Sequence, residues 1–269
     1  MSSLQNDQSE RREYLLRALL EERPDGRNIP VPDSAEQQRQ LLRALMNVRV
    51  PRRIAPEFLQ VQDAYLQERA RERGVVTLAE LTAISDGLYL WQGDITRLAV
   101  DAIVNAANSG MTGCYRPNHA CIDNCIHTYA GVQLRLECAE MMRRQGHEEP
   151  TGRAKLTAAY NLPCKYILHT VGPIITDRVT RQDEALLASC YRSCLELAEA
   201  HGVRSIAFCC ISTGVFRFPN RRAAELAVQT VRAYRKDTGS TMEVIFNVFK
   251  REDLEIYQEL LGAAETSED

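Results

Sequence analysis

The sequence lacks the features that would place the protein in a membrane, outside the cell or on a nucleic acid. No apolar run approaches the roughly 20 residues that a membrane-spanning helix needs, and the polar start MSSLQNDQSE lacks the apolar segment of a secretory signal. A formal net charge of -3 and a pI of about 6 leave no excess positive charge to neutralise phosphates. We therefore expect a cytoplasmic protein that engages neither membrane nor nucleic acid.

The nine cysteines do not indicate a disulfide framework. Their number is odd and no secretory signal accompanies them, so reduced thiols are expected. Free cysteines often serve as small buried apolar side chains. The patterns around them predict this role for Cys125, Cys138, Cys164, Cys190, Cys194, Cys209 and Cys210. Cysteine clustered with histidine, by contrast, indicates a metal site.

Residues 1–85 are predicted to form helices joined by proline-rich connectors. Apolar spacing predicts helices over 11–23, 34–49 and 56–74; Ser34 is an N-cap candidate, and the third helix starts at a proline and stops at a glycine. Thirteen arginines balance thirteen acidic residues, and no residues have catalytic spacing. We interpret this region as a helical extension packed on the main domain, with a surface for docking a partner as the alternative.

From residue 86 to about 264, strands alternate with helices. Strands are predicted at 88–95, 101–107, 165–172, 205–212 and 242–249, and helices at about 120–145, 183–202, 220–237 and 251–262. This alternation predicts an α/β fold with a mostly parallel sheet covered on both faces. Ligands of such folds bind beyond the carboxyl ends of the strands, where the motifs described next are found.

The run GCYRPNHACIDN at 113–124 is the most informative segment. It places Cys114, His119 and Cys121 close together in a loop-like sequence, and three ligands with an open fourth position are typical of catalytic zinc sites. A fourth ligand, Cys125 or His127, would instead make the site structural. Asp123, two positions after the last ligand, is a candidate general base, although an Asp in a first helical turn can also act as a cap.

Three further segments follow predicted strands. Asp94 of GDIT can accept a hydrogen bond from an amino group such as that of adenine, or can stabilise its own turn. Asn105 and Asn108, in VNAANS, offer donors and acceptors that suit sugar hydroxyls. The segment ISTGVFRFPN at 211–220 joins a strand to a helix, and its backbone amides can form an anion cradle.

Together these segments resemble the macrodomain family, which binds ADP-ribose. The resemblance covers about residues 86–262 and rests on LYLWQGDITRLAVDAIVNAANS, TGRAKLTAAYNLPCKYILHTVGP, IDNCIH, ISTGVFRFP and VIFNVFKREDLEIY. It implies a three-layer α/β/α sandwich with a mixed sheet of about six strands. The GCYRPNHAC run is similar to that of the zinc-dependent branch, whose members carry a helical N-terminal extension, sometimes accompany sirtuin-like ADP-ribosyltransferases and remove ADP-ribose from proteins.

The resemblance assigns roles to individual residues. It implies that Asp94 and the Ile95 backbone read adenine and that Phe249 packs against it. Asn105 and Asn108 would lie near the distal ribose, and Asn108 would join Asp123 in catalysis. The diphosphate loop would consist of Ser212, Thr213, Gly214, Val215 and Phe216, and one Zn²⁺ would bind Cys114, His119 and Cys121.

The expected activity is hydrolysis of mono-ADP-ribose from a modified protein side chain, with a carboxylate linkage favoured. Two departures from the family pattern stand out: Gly113 is alone where most macrodomain hydrolases have several glycines, and Arg217 stands where glycine is more usual. The alternatives are a reader module that binds ADP-ribose without cleaving it, and a deacetylase of O-acetyl-ADP-ribose.

Overall fold

The computed structural model describes residues 7–85 and 87–262, so the predicted domain boundary at 86 and domain end at 264 lie outside the described residues. The first three helices belong to the extension, and the others flank the sheet. In chain order the α-helices are α1 (Gln8–Glu21), α2 (Ala35–Val48), α3 (Pro56–Arg73), α4 (Ile122–Ala130), α5 (Val132–Gln145), α6 (Arg181–Ala200), α7 (Asn220–Thr238) and α8 (Arg251–Gly262).

The ends of the first three helices follow from local chemistry. Asp7 caps α1 by accepting the backbone N–H of Ser9, and Ser34 caps α2 by accepting that of Gln37. Helix α3 has proline at its first position, where a missing N–H costs nothing, and ends before Gly74, whose φ of 79° is easily reached by glycine. These helices and the predicted cap at Ser34 are confirmed.

The extension has a small core of its own. Its buried side chains include Leu16 and Leu19 of α1, Leu42 of α2 and Phe58 of α3. Val132 of α5 joins this cluster, which ties the extension to the sheet domain. Because full burial of one such side chain stabilises a protein by about 1.5–3 kcal/mol, the cluster fixes the three helices against the site-bearing helices.

The main sheet is mixed, with strand order β2-β3-β9-β8-β5-β7-β6. Its inner strands are parallel, and the edge strands β2 and β6 run antiparallel to their neighbours. A second, two-stranded sheet pairs β1 with β4. The strands are β1 (Val76–Thr77), β2 (Ala83–Ser85), β3 (Leu88–Gln92), β4 (Leu98–Ala99), β5 (Ala102–Ala106), β6 (Ala154–Ala158), β7 (Tyr166–Thr170), β8 (Ser205–Phe208) and β9 (Glu243–Val248).

This arrangement confirms the three-layer α/β/α fold and corrects several details. Within the described residues the main sheet has seven strands rather than six, because the three-residue strand β2 pairs with β3. Thus part of the segment predicted to belong with the helices, 76–85, pairs with the sheet domain. The edge strand β6 was not predicted because its alternating sequence, AKLTA, has only five residues.

One predicted helix is divided in two, and one predicted strand ends earlier than expected. The helix expected over 120–145 is divided at Gly131, whose φ of 104° cannot continue an α-helix, into α4 and α5. The strand expected over 205–212 ends at Phe208, and Ser212 adopts the left-handed region with φ 65°. The interruption at Ser212 turns the chain at the carboxyl edge of the sheet, whereas Gly131 follows Ala130, which bonds Asn161 in the β6–β7 connection at the opposite edge.

Among the described residues, no helix combines the length and apolar character needed to cross a bilayer.

Candidate active site

The carboxyl ends of four neighbouring parallel strands, β3, β9, β8 and β5, form one continuous edge. Asp94 follows β3, Phe249 follows β9, and the 212–216 loop follows β8. Asn105 and Asn108 lie at and beyond the end of β5. The positions predicted for adenine, diphosphate and ribose therefore follow one another along this edge in the order of those groups in ADP-ribose.

Asp123 occupies the first turn of α4, and both of its oxygens are held by asparagines. Asn105 Nδ2 lies 2.8 Å from Asp123 Oδ1, and Asn108 Nδ2 lies 3.2 Å from Oδ2. Asn105 is fully buried and also contacts Nδ1 of the buried His169 at 3.1 Å. In this structure Asn105 thus positions the carboxylate, whereas Asn108, which is only partly buried, is the asparagine closer to solvent.

The surroundings of Asp123 act on the pKa of its carboxyl group in opposite directions. Burial raises the pKa of this carboxyl to about 6, although the amides of Asn105 and Asn108 and the charge of Arg135 pull it down. His127 Nε2 lies 3.6 Å from Asp123 Oδ1, and burial lowers the pKa of His127 well below its ordinary value. Asp123 therefore stands beside a neutral imidazole, in an environment suited to proton transfer near neutral pH.

Cys114, His119 and Cys121 come together as predicted. Their ligand atoms all lie within 4.8 Å of one another, and Cys114 Sγ lies 3.6 Å from His119 Nδ1. For zinc bonded to sulfur at about 2.3 Å and to nitrogen at about 2.0 Å, two ligands at a tetrahedral angle lie roughly 3.5 Å apart. All three side chains are partly exposed, which leaves access for a further ligand. The residues fit a zinc ion.

Neither candidate for a fourth protein ligand joins this group. Cys125 Sγ accepts a hydrogen bond from Arg43 Nη2 at 3.4 Å, and His127 lies in the core beside Asp123. Within the described part of the chain, the metal-compatible group around Cys114 has only its three members. This arrangement favours an open site over a closed structural one.

His127, Cys138 and His169 form a second group with similar spacing, but all three are buried in the core. Nδ1 of His169 contacts Asn105, and its Nε2 contacts Thr157 Oγ1 at 2.9 Å. Because hydrogen bonding occupies both ring nitrogens of His169, this group is better explained as packed core than as a metal site.

The predicted diphosphate loop, residues 212–216, lies between β8 and α7. Ser212 is buried, its φ is 65°, and its Oγ has no hydrogen-bond partner in the structure. A Cβ on Gly172 would meet this Oγ at 2.0 Å, so the neighbouring loop needs glycine there. Val215, in contrast, is 71% exposed. The loop therefore presents an accessible tip above a tightly packed base.

Arg217 joins this loop to the segment that follows β7. Its φ is 59°, a region that favours glycine, which agrees with its place in a glycine position of the family pattern. Its Nη2 donates to the carbonyl of Ile175 at 3.1 Å, and the backbone N–H of Ile175 donates to the carbonyl of Phe216 at 2.9 Å. These bonds hold the two loops together.

At the β3 end of this edge, both carboxylate oxygens of Asp94 accept hydrogen bonds. Its Oδ1 accepts from the backbone N–H and hydroxyl of Thr96, at 3.0 and 2.7 Å. Its Oδ2 accepts from Arg73 Nη1 at 3.0 Å. Ile95, in the short 3-10 helix after Asp94, is buried, while Phe249 is 76% exposed and can cover an aromatic ligand.

Arg73 is a site residue that the sequence did not reveal. It lies at the end of α3, in the extension, and its guanidinium carbon stacks 3.7 Å from the ring centroid of Tyr129 while its Nη1 bonds Asp94. The only available signal was an arginine in the last turn of a helix, and nothing in the sequence connects that turn with a residue 21 positions later.

Comparison with known proteins agrees with the fold. The family model described as Macro domain matches residues 104–227. A protein from Treponema medium named "Protein-ADP-ribose hydrolase" is 57% identical over 95% of this chain and 99% of its own length; a Staphylococcus aureus protein of the same name is 51% identical over 96% and 97%.

A Fusarium oxysporum protein named "Probable bifunctional ADP-ribose hydrolase/ADP-ribosyltransferase" is 42% identical over 84% of this chain, which spans 41% of that protein. Among solved structures, the Trypanosoma brucei macrodomain in complex with ADP-ribose is 29% identical, with a TM-score of 0.64, over 86% of this chain and 97% of that one. The sheet order, the site at its carboxyl edge and these similarities lead to one conclusion: the chain belongs to the macrodomain family.

Proposed function

We propose that this protein is a hydrolase that removes mono-ADP-ribose from modified protein side chains. The observation that supports this most strongly is Asp123, held on both oxygens by Asn105 and Asn108, two residues beyond the Cys–His–Cys group. The names of the Treponema and Staphylococcus relatives, at 57% and 51% identity over nearly the whole chain, agree with it.

In this proposal, ADP-ribose lies along the carboxyl edge of the sheet. Asp94 accepts the adenine amino group beside the backbone of Ile95, and the exposed ring of Phe249 covers the adenine. The amides of the 212–216 loop bind the diphosphate. Asn108 reaches the distal ribose, whose linkage to the protein then faces Asp123.

The reaction adds water across the bond between the distal ribose and the side chain. The Asp123 carboxylate accepts a proton from the attacking water and returns it to the leaving oxygen, so that no net proton remains on the enzyme. The two asparagine amides keep the carboxylate in one orientation throughout. The burial of Asp123 and its contacts with Asn105 and Asn108 support this role, because they keep the carboxylate in one place for proton transfer.

We propose that Cys114, His119 and Cys121 hold one Zn²⁺. When bound, the ion would supply a Lewis acid for an oxygen of the substrate or of water. Two thiolates and one neutral imidazole balance the charge of the ion, so the site is less electrophilic than a three-histidine one. Positioning of the ribose by the residues of this chain therefore contributes much of the catalysis.

We propose a carboxylate linkage and a functional link to a sirtuin-like ADP-ribosyltransferase. The Fusarium relative, whose name combines hydrolase and transferase, supports a pairing of the two activities, although its name does not specify the class of transferase.

The direct test is release of ADP-ribose from proteins mono-ADP-ribosylated on carboxylate and on other side chains. Release from the carboxylate substrate at a multiple-turnover rate is expected. Tight binding of ADP-ribose without release would identify a reader module instead. Faster turnover of O-acetyl-ADP-ribose than of the modified protein would favour the deacetylase.

A further inference from the structure

The loop that carries the proposed metal ligands has little internal support. Residues 113–121, here called the ligand loop, form no helix or strand. Asn118 lies in the left-handed region with φ 53°, and within the loop the backbone N–H of His119 bonds the carbonyl of Arg116 at a long 3.3 Å. A loop of this kind needs contacts from outside to hold three ligand atoms in one arrangement.

Arg43 of α2 supplies one such contact. Its Nη2 donates to the carbonyl of His119 at 2.8 Å and to Oδ1 of Asn124 at 2.8 Å. Asn124, which is fully buried, in turn donates from Nδ2 to the carbonyls of Arg116 and Cys114, at 3.0 and 3.4 Å. One guanidinium from the extension therefore bonds the carbonyl of the ligand residue His119 directly and also bonds Asn124, which holds the carbonyls of Arg116 and of the ligand residue Cys114.

Asn47, one turn further along the same helix, supplies a second contact. Its Oδ1 accepts the backbone N–H of Asn118 at 3.0 Å, at the position with left-handed φ, next to the ligand His119. Its Nδ2 donates to Thr128 Oγ1 at 2.9 Å. Because Asn47 is buried, loss of these bonds would leave polar groups without partners.

On the basis of the proposed metal-dependent function, we infer that Arg43 and Asn47 are positioning residues for the metal site, so that the helical extension is a structural part of the active site. Neither side chain is itself a proposed ligand. They act by holding the backbone of the ligand loop in place before the metal binds, and outer contacts of this kind typically change metal affinity by about 10–100-fold.

The experiment compares Arg43→Met with Arg39→Met in the full chain. Arg39 lies one turn earlier on α2 and pairs with Glu36, away from the loop. After loading with Zn²⁺, release to an excess of chelator is expected to be about 10–100-fold faster in Arg43→Met, with Arg39→Met within about 2-fold of the unmodified chain. Arg43→Lys keeps the positive charge but loses the planar guanidinium with its several donors. Its rate of zinc release should therefore lie between those of the other two variants.

A second measurement does not depend on metal. In chelator-treated protein, amide hydrogen–deuterium exchange of residues 113–121 should be faster in Arg43→Met than in Arg39→Met, while ADP-ribose affinity stays within about 3-fold. Equal zinc release or equal exchange in the two variants would overturn the inference. If the unmodified chain retains no zinc, the proposed metal fails, and the exchange comparison alone decides the positioning role. If Arg43→Met does not fold, Arg43→Lys replaces it in both the zinc-release and the exchange measurements.

Discussion

The helical extension and the sheet domain meet at the same site but contribute different kinds of group. The sheet domain provides the residues suited to chemistry, Asp123 and the Cys–His–Cys group, on a strand-following loop and a helix. The extension provides arginine and asparagine side chains, Arg43, Asn47 and Arg73, that bond the carbonyls, amides and carboxylate of the sheet domain. The extension therefore adds contacts that align the site to those that Asn105 and Asn108 of the sheet domain already make with Asp123.

The largest expected effect comes from removing the base. Asp123→Ala should lower kcat/KM for ADP-ribose release by about 10²–10⁴-fold, because proton transfer loses its acceptor. ADP-ribose binding, measured by calorimetry, should remain within a few fold. Activity of this variant close to that of the unmodified chain would assign the base to another group.

The next test separates an open metal site from a closed one. Cys114→Ser should reduce bound zinc from about one ion per chain to near zero, since a zinc thiolate is lost, whereas Cys125→Ser should retain it because Cys125 lies outside the group. Metal analysis after dialysis measures both. Loss of zinc in Cys125→Ser to the same extent would mean that this cysteine is a ligand.

A third prediction concerns the contact of the extension with the adenine end. Arg73→Met should weaken ADP-ribose binding by about 3–10-fold with little change in kcat, because Asp94 loses the donor that orients Oδ2. Arg71→Met is the matched control, since Arg71 lies on the same helix but pairs with Glu68 at the surface. Equal ADP-ribose affinities of the two variants would show that Arg73, and with it the extension, does not contribute to adenine recognition.

The smallest effect is expected at Arg217, within the sheet domain. Arg217→Asn tolerates positive φ but removes the bonds to the loop after β7, so KM should rise by about 2–5-fold. Arg217→Gly should raise KM similarly, with the free energy of unfolding within about 1 kcal/mol of the unmodified value because relief of backbone strain offsets the lost hydrogen bonds. An unchanged KM in both variants would show that the hydrogen bonds of Arg217 to the loop after β7 do not affect substrate binding.

Local patterns predicted much of the fold. The cap at Ser34, the proline start of α3 and the periodic apolar positions give the helices of the extension, and the strand–helix alternation gives the parallel sheet. The strands β2 and β6 escaped prediction because they have only three and five residues, too few for an apolar pattern to stand out. The break at Gly131 depends on a positive φ that one glycine in a helical pattern does not reveal.

Some features of the site were likewise predictable from local sequence, and others were not. The grouping of Cys114, His119 and Cys121 was predictable because all three lie within eight positions, and Asp123 follows at once. The bonds of Arg43 to Asn124, 81 positions away, and of Arg73 to Asp94 depend on how the extension docks, which no local pattern encodes. The full burial of Asn105 likewise arises from packing against His169.

The most direct test of the account is to measure zinc content and ADP-ribose release on the same preparation, before and after chelation and again after zinc is restored. The account predicts about one zinc per chain, loss of release on its removal with ADP-ribose binding retained, and recovery on its return. Full release from protein shown to contain no metal would contradict it.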